Sequence, residues 1–253
     1  MYVSFEDIRT FELVGRDRDG AEDVLGTLDD VYVDTRDWRV SWLVLETGGW
    51  LASHKVLIGS DRHIAFDTAG RRLLSELTRY DIETAPEADE VRTVSDRRGG
   101  DGVLPPGASL FRAGGPGVAL PFGYREGAGL AAESTADPVA PPTEEERHLR
   151  SAREMIGYAL AGRDGAVGPV RDLLLDGERP AIAWLVVDTG SWLAGHEVVL
   201  GPDHVERVSW DERRIGVDLV REQVRGAPPL ENLDGLARAD LSPLARLYRF
   251  PRG

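Results

Sequence analysis

Trp42-Leu43-Val44-Leu45-Glu46-Thr47-Gly48-Gly49-Trp50-Leu51-Ala52 returns later in the chain, almost letter for letter, as Trp184-Leu185-Val186-Val187-Asp188-Thr189-Gly190-Ser191-Trp192-Leu193-Ala194. Repetition at a fixed spacing decides architecture before any local pattern does. Sliding the chain by 142 positions extends the match in both directions without a gap. Gly26 falls on Gly168, Asp30 on Asp172, His54 on His196, and Ala85-Pro86 on Ala227-Pro228. The same register sets Glu12-Leu13-Val14-Gly15 over Glu154-Met155-Ile156-Gly157. Solenoid repeats run about 20–50 residues, so this longer period predicts two copies of one domain, each holding its own core. A unit of about 80 residues is marginal alone. Packing between the copies, or between chains, is expected to add burial.

Within a copy the pattern is β. Val31-Tyr32-Val33 is a β-prone run, ended by the turn Asp34-Thr35-Arg36-Asp37. Val40 to Leu45 is the next strand, broken by Thr47-Gly48-Gly49. Leu51–Ile58, Ile64–Phe66 and Leu73–Leu77 follow. In the second copy Ile215, Val217 and Leu219 alternate with Gly216 and Asp218, which predicts one buried and one wet face. Val186-Val187 and Val198-Val199-Leu200 are apolar on both faces, as central strands are. Arg221 to Arg225 reads as a helical turn. Short strands at such spacing predict a small closed barrel, because closure removes exposed edges.

Between the copies the composition changes. Gly99-Gly100, Pro105-Pro106, Gly114-Gly115-Pro116-Gly117 and Pro141-Pro142 leave no helical or strand period, and predict a linker of low order. Thr143 to Glu146 offers a capping box for a short helix near 143–154 that stops before Gly157. The expected organisation is a first domain over 1–86, a linker over 87–149, a second domain over 150–228 and a tail over 229–253.

Composition narrows the function classes. The 253 residues carry a formal net charge of −14 and no cysteine. Disulfide frameworks, thiolate metal sites and cysteine nucleophiles are excluded. The acidic balance opposes phosphate contacts, so DNA is not an expected partner and RNA is a poor one. No stretch approaches the roughly 20 apolar residues of a membrane span, and the start does not resemble a signal peptide. A soluble, cytoplasmic protein is the expectation.

The Trp42-to-Leu51 and Trp184-to-Leu193 segments resemble the PRC-barrel domain, the family of the cytoplasmic domain of the photosynthetic reaction centre H subunit. So do Ser151 to Tyr158, the turn Arg163 to Gly168 before the Val170–Asp176 strand, and the closing Val217-Asp218-Leu219. The resemblance covers roughly 5–86 and 150–228. It implies small β-barrels that serve as assembly and adaptor modules, with no shared enzyme activity. The expected fold class is therefore all-β: two small PRC-type β-barrels in tandem, each closed by a short helical turn and joined by the Gly/Pro-rich linker.

Candidate sites follow from the same residues. His54 and His196 offer a pH-sensitive or metal-binding pair, or simply a polar strand position copied by duplication; no zinc ligand set stands near them in sequence. Trp42 and Trp184 are expected in the core, whereas Trp50 and Trp192 sit at loops and suit a contact surface. Asp29, Asp30, Asp34 and Asp37 lack the ligand spacing of a calcium loop and read as solvated turn acids. The tail from Leu241 carries Arg246, Tyr248, Arg249 and Phe250 and no acid, which suits docking to an acidic surface. No phosphate loop, nucleophile elbow or HExxH helix occurs. The expectation is a non-catalytic protein-binding or scaffold protein that needs no cofactor or metal, has protein partners, and forms homo-oligomers. The alternatives are a ribosome-associated maturation-type factor and a small-ligand or metal-binding protein with a site between the barrels.

Overall fold

Each half is organised by one long strand that is bent at a bulge. A computed structural model describes residues 2–17, 19–51, 54–88, 93, 148–190 and 197–225. In the first half β1 (Tyr2–Ser4) and α1 (Phe5–Ile8) lead into β2 (Glu12–Arg16) and the long β3 (Glu22–Asp34). Then come β4 (Arg39–Glu46), β5 (Lys55–Gly59), β6 (Ile64–Asp67), β7 (Arg72–Ser75) and α2 (Arg79–Glu83). The second half runs β8 (Leu149–Ser151), α3 (Ala152–Met155), β9 (Ala159–Gly162) and the long β10 (Gly165–Asp176). It continues with β11 (Ala181–Asp188), β12 (Glu197–Leu200), β13 (Val205–Ser209), β14 (Arg214–Val217) and α4 (Arg221–Arg225). The described residues are mostly β, and the order of elements recurs. Among the described residues no helix is long and apolar enough to cross a membrane.

Pairing recurs as well. In the first half the order is β5-β4-β3-β2-β7-β6, and in the second β12-β11-β10-β9-β14-β13. The pairs β2–β7 and β9–β14 are parallel, whereas the others in these series are antiparallel. Bulges fall at matching places, between Leu28 and Asp30 and between Val170 and Asp172. A bulge turns its strand and re-aims the next side chain. Here the re-aimed residues are Asp30 and Asp172.

Three expectations need correction. The match along the chain is not gap-free. Gly15 lies under the Leu77 carbonyl and Gly162 under the Leu219 carbonyl, so Glu12–Gly15 corresponds to Ala159–Gly162 and not to Glu154–Gly157. The five-residue offset is a hairpin loop that is longer between β2 and β3 than between β9 and β10. The sheet is not closed: one path runs from β13 to β6, joined at the middle by β11 and β4 through Ala181 and Arg39. Nor does each half keep its own core. A single buried cluster runs from Val3 to Val224 through both halves.

The shared core arises because each half gives its first strand to the other. β1 pairs with β10, setting Ser4 opposite Leu174. β8 pairs with β3, setting Ser151 opposite Tyr32. Each arm ends in a four-residue helix, N-capped by Ser4 or Ser151, whose side chains accept from Asp7 N and Glu154 N. Phe5 and Ile8 are buried from one arm, Ala152 and Met155 from the other. Burial of a large apolar side chain contributes about 1.5–3 kcal/mol, so Phe5, Ile8 and Met155 anchor the exchange. The helix expected near 143–154 is this shorter one, preceded by strand; Thr143 lies outside the described residues.

Candidate functional site

The seam between the halves holds two buried carboxylates and a cleft. Asp30 and Asp172 are 6% and 1% exposed, so Asp30 is not the solvated turn acid expected of it. The Asp172 carboxylate accepts from the Ser4 hydroxyl, from Glu6 N at 3.2 Å and from Leu173 N at 2.7 Å. Asp30 accepts from the Ser151 hydroxyl, from Arg153 N at 3.0 Å and from Val31 N at 2.8 Å. Each carboxylate thus holds the other half's arm by its capping serine. Burial pushes both carboxyl groups up to about 6, although the hydrogen bonds oppose the rise.

A charged cluster lies beside Asp30. Asp29 takes Lys55 Nζ at 2.7 Å and Arg153 Nη1 at 2.8 Å. At the matching positions the second half carries Arg171, Glu197 and Glu6, so every sign is inverted. A half-1 arm laid on half 1 would bring Glu6 to Asp29, and a half-2 arm laid on half 2 would bring Arg153 to Arg171. Exchange between unlike halves is the arrangement without like-charge contact. Arg153→Glu is expected to lower stability by about 1 kcal/mol. Adding Asp29→Arg and Lys55→Glu installs the second half's pattern and is expected to restore the urea midpoint. A triple variant no better than the single one would show that these charges do not act as a set.

The cleft opens where the β5–β6 loop of the first half meets the β10–β11 turn of the second. It has a volume of about 240 Å³. Ile8, Val31, Val40, Leu43 and Leu175 are buried core residues that form its floor. Arg62, His63, Glu178 and Arg179 stand exposed at its mouth beside Pro180. Next to it, the outer face of β2, β6 and β7 forms a shallower groove that also includes His63 and Gly177. On that face Val14 pairs with Val24 and with Leu74, which are 46% and 37% exposed.

The residues singled out in the sequence fall away from this cleft. Trp50 is half-buried; its indole N–H donates to Leu25 O at 3.1 Å, and the Arg79 guanidinium lies 4.9 Å from its ring. Those contacts fix Trp50 as a clamp between the 3-10 turn Gly49–Leu51 and β3. His54 is exposed, with Nδ1 3.9 Å from Glu87. Among the described residues no cluster of three or more His, Asp or Glu side chains is placed to hold a metal. Trp192, His196, Arg246, Tyr248, Arg249 and Phe250 lie outside the described residues. Trp184 is buried as expected, whereas Trp42 is only partly so; each sits in a small satellite cluster on the far side of its sheet. His204 was not singled out, yet its Nδ1 lies 2.8 Å from Asp218 and ties the turn after β12 to the end of β14.

The comparison with known families bears on the first half. Residues 2–74 match the family model of the PRC-barrel domain. This stretch is a PRC-barrel domain. No curated protein matches the chain. The PRC-barrel match begins at Tyr2, and therefore includes an arm that lies on the other half of the molecule. As a sequence unit the PRC-barrel domain is continuous; as a folded unit it is completed by β8 and α3 from the second half.

Proposed function

We propose that the chain is a non-catalytic protein-binding module, built from two PRC-type units in tandem and working at the seam between them. The recurrence of strand order and bulges supports the tandem reading. The fate of the two carboxylates raised by burial, Asp30 and Asp172, carries the non-catalytic one. Active sites present groups of shifted pKa to a substrate. Among the described residues the two carboxylates that burial raises, Asp30 and Asp172, are shut inside the seam by a serine hydroxyl and two backbone N–H groups each, and their work is to hold the arms. What faces outward is an apolar-floored cleft with a charged rim, next to exposed Val24 and Leu74. An apolar centre with a polar rim is the anatomy of a contact surface. The cysteine-free, acidic composition suits a reducing compartment such as the cytoplasm. A small-molecule site between the halves is the second reading, and the same cleft favours it.

The test is reconstitution from purified components. A partner recovered with the full chain is expected to form a complex of fixed stoichiometry by light scattering. Leu74→Glu, which places a charge on the exposed face, is expected to weaken it about tenfold, the equivalent of about 1.4 kcal/mol. A full chain that forms no defined complex with any recovered protein, and whose mass does not change with concentration, would remove this reading.

A further inference from the structure

We infer that the seam cleft is a socket for one tryptophan-type side chain presented by a partner protein. The inference rests on the protein-binding reading above and names what the partner must carry. Its evidence is the molecule's own matching turn. Val40 N donates to Pro180 O and Ile182 N donates to Trp38 O, each at 2.8 Å. The two bonds are the same bond in the two halves, so Trp38 stands where Pro180 stands. The surroundings match too: Val31, Val40 and Leu43 under the cleft correspond to Leu173, Ile182 and Leu185, all buried in one core.

At the first of these turns the molecule supplies its own indole. Trp38 is 6% exposed and belongs to the shared core. Its φ is +59°, in the left-handed region that bulky residues avoid. A tryptophan stays there only if burying its ring outweighs the backbone cost. At the second turn Pro180 has only its small pyrrolidine ring, which confines φ near about −65° and supplies no aromatic ring to insert. The cleft of about 240 Å³ is left open at that place. An apolar cavity of about 150 Å³ already takes benzene, so an indole fits. Arg62, His63, Glu178 and Arg179 give the mouth both signs of charge. Such a rim suits the polar backbone and mixed side chains around an anchoring residue better than a small ion. Tryptophan is also among the residues that most often dominate binding energy at interfaces.

The test uses the full chain, calorimetric melting, and three probes: indole, N-acetyltryptophanamide, and a capped peptide with the sequence of residues 34–40. All three are expected to raise the wild-type melting temperature, by about 3–6 °C at a tenfold excess over the dissociation constant. Pro180→Trp is expected to fill the socket and to abolish the response. Trp38→Ala opens the twin position; it is expected to melt lower and to gain more from indole than wild type does. Should Trp38→Ala fail to fold, wild type against Pro180→Trp still decides. No shift with any probe, or an equal shift in Pro180→Trp, overturns the proposal. A response to indole without the peptide assigns the cleft to a small aromatic molecule and overturns the partner assignment. Wild-type self-association that Pro180→Trp abolishes assigns the socket to a second copy and does the same. Because no partner is needed, failure here leaves the protein-binding reading standing, and a complex indifferent to Pro180→Trp would locate it elsewhere.

Discussion

Gly168→Ala is expected to destabilise the chain by at least about 3 kcal/mol and to prevent normal folding in a marginal background. A Cβ at this position would lie 1.7 Å from the Asp188 carbonyl oxygen and 2.8 Å from its carbon. Those atoms are backbone of β11, the strand paired to β10, so no side chain can turn aside. The two strands must separate instead, beside Val170 and Val187 at the heart of the second half. Gly157→Ala is the control. Gly157 has a φ of +84° with open space around a Cβ, so its cost is conformational, about 1 kcal/mol. Urea unfolding of both variants separates steric from conformational cost. Equal midpoints would mean that β10 and β11 do not approach so closely. Gly26→Ala is expected to behave like Gly168→Ala, since its Cβ would meet Glu46 O at 2.5 Å.

These glycines show which parts of the fold are legible in the sequence. Gly26 and Gly168 recur because the same strand crossing recurs, and letters report such constraints directly. Glu12-x-x-Gly15 and Glu154-x-x-Gly157 also align, but by coincidence. Gly15 is a strand glycine packed under a carbonyl, whereas Gly157 follows a short helix at positive φ. One letter served two physical needs, and the true correspondence was hidden behind a change in loop length. The apolar strands Val40–Leu45 and Val198–Leu200 were readable because burial on both faces leaves a run of apolar residues. The arm exchange was not. It depends on Ser4 finding Asp172 across 168 positions, and neither residue has any periodic signature. An aspartate beside a second charged residue, Asp29-Asp30 or Arg171-Asp172, reads as solvent-facing, and only the bulge after Leu28 and after Val170 turns the second of the pair inward. The cleft was equally hidden, because it is defined by what Pro180 lacks relative to Trp38.

The second large effect is expected at those carboxylates. Asp172→Ala leaves the Ser4 hydroxyl and the Glu6 and Leu173 N–H groups without their acceptor. An orphaned buried donor costs about 1–3 kcal/mol, set against relief from burying a charge, so a net loss of about 2–4 kcal/mol is expected. Asp30→Ala is expected to do the same to Ser151, Arg153 and Val31, and hydrogen exchange should rise first in the arm each variant releases, Tyr2–Ile8 or Leu149–Met155. Acidity provides an independent check. Both carboxyl groups stand at about 6 in the folded chain against 3.8 for an unburied one. Between about pH 4 and 6 the folded chain therefore binds more protons than the unfolded chain, and stability falls as pH rises through that window. The rise corresponds to about 3 kcal/mol per group. Asp23, held low by its hydrogen bond to Arg79, and Asp81, held low by Thr78, act in the opposite sense and only at lower pH. Maximum stability is thus expected near pH 4, below the usual range, with a decline as pH rises to about 6 and a lower plateau beyond. Replacing both residues with asparagine keeps an oxygen for the backbone donors and removes the charge. That double variant should show a flat urea midpoint from pH 4.5 to 7; a slope as steep as the wild type's would mean that the seam carboxylates are not the groups that titrate.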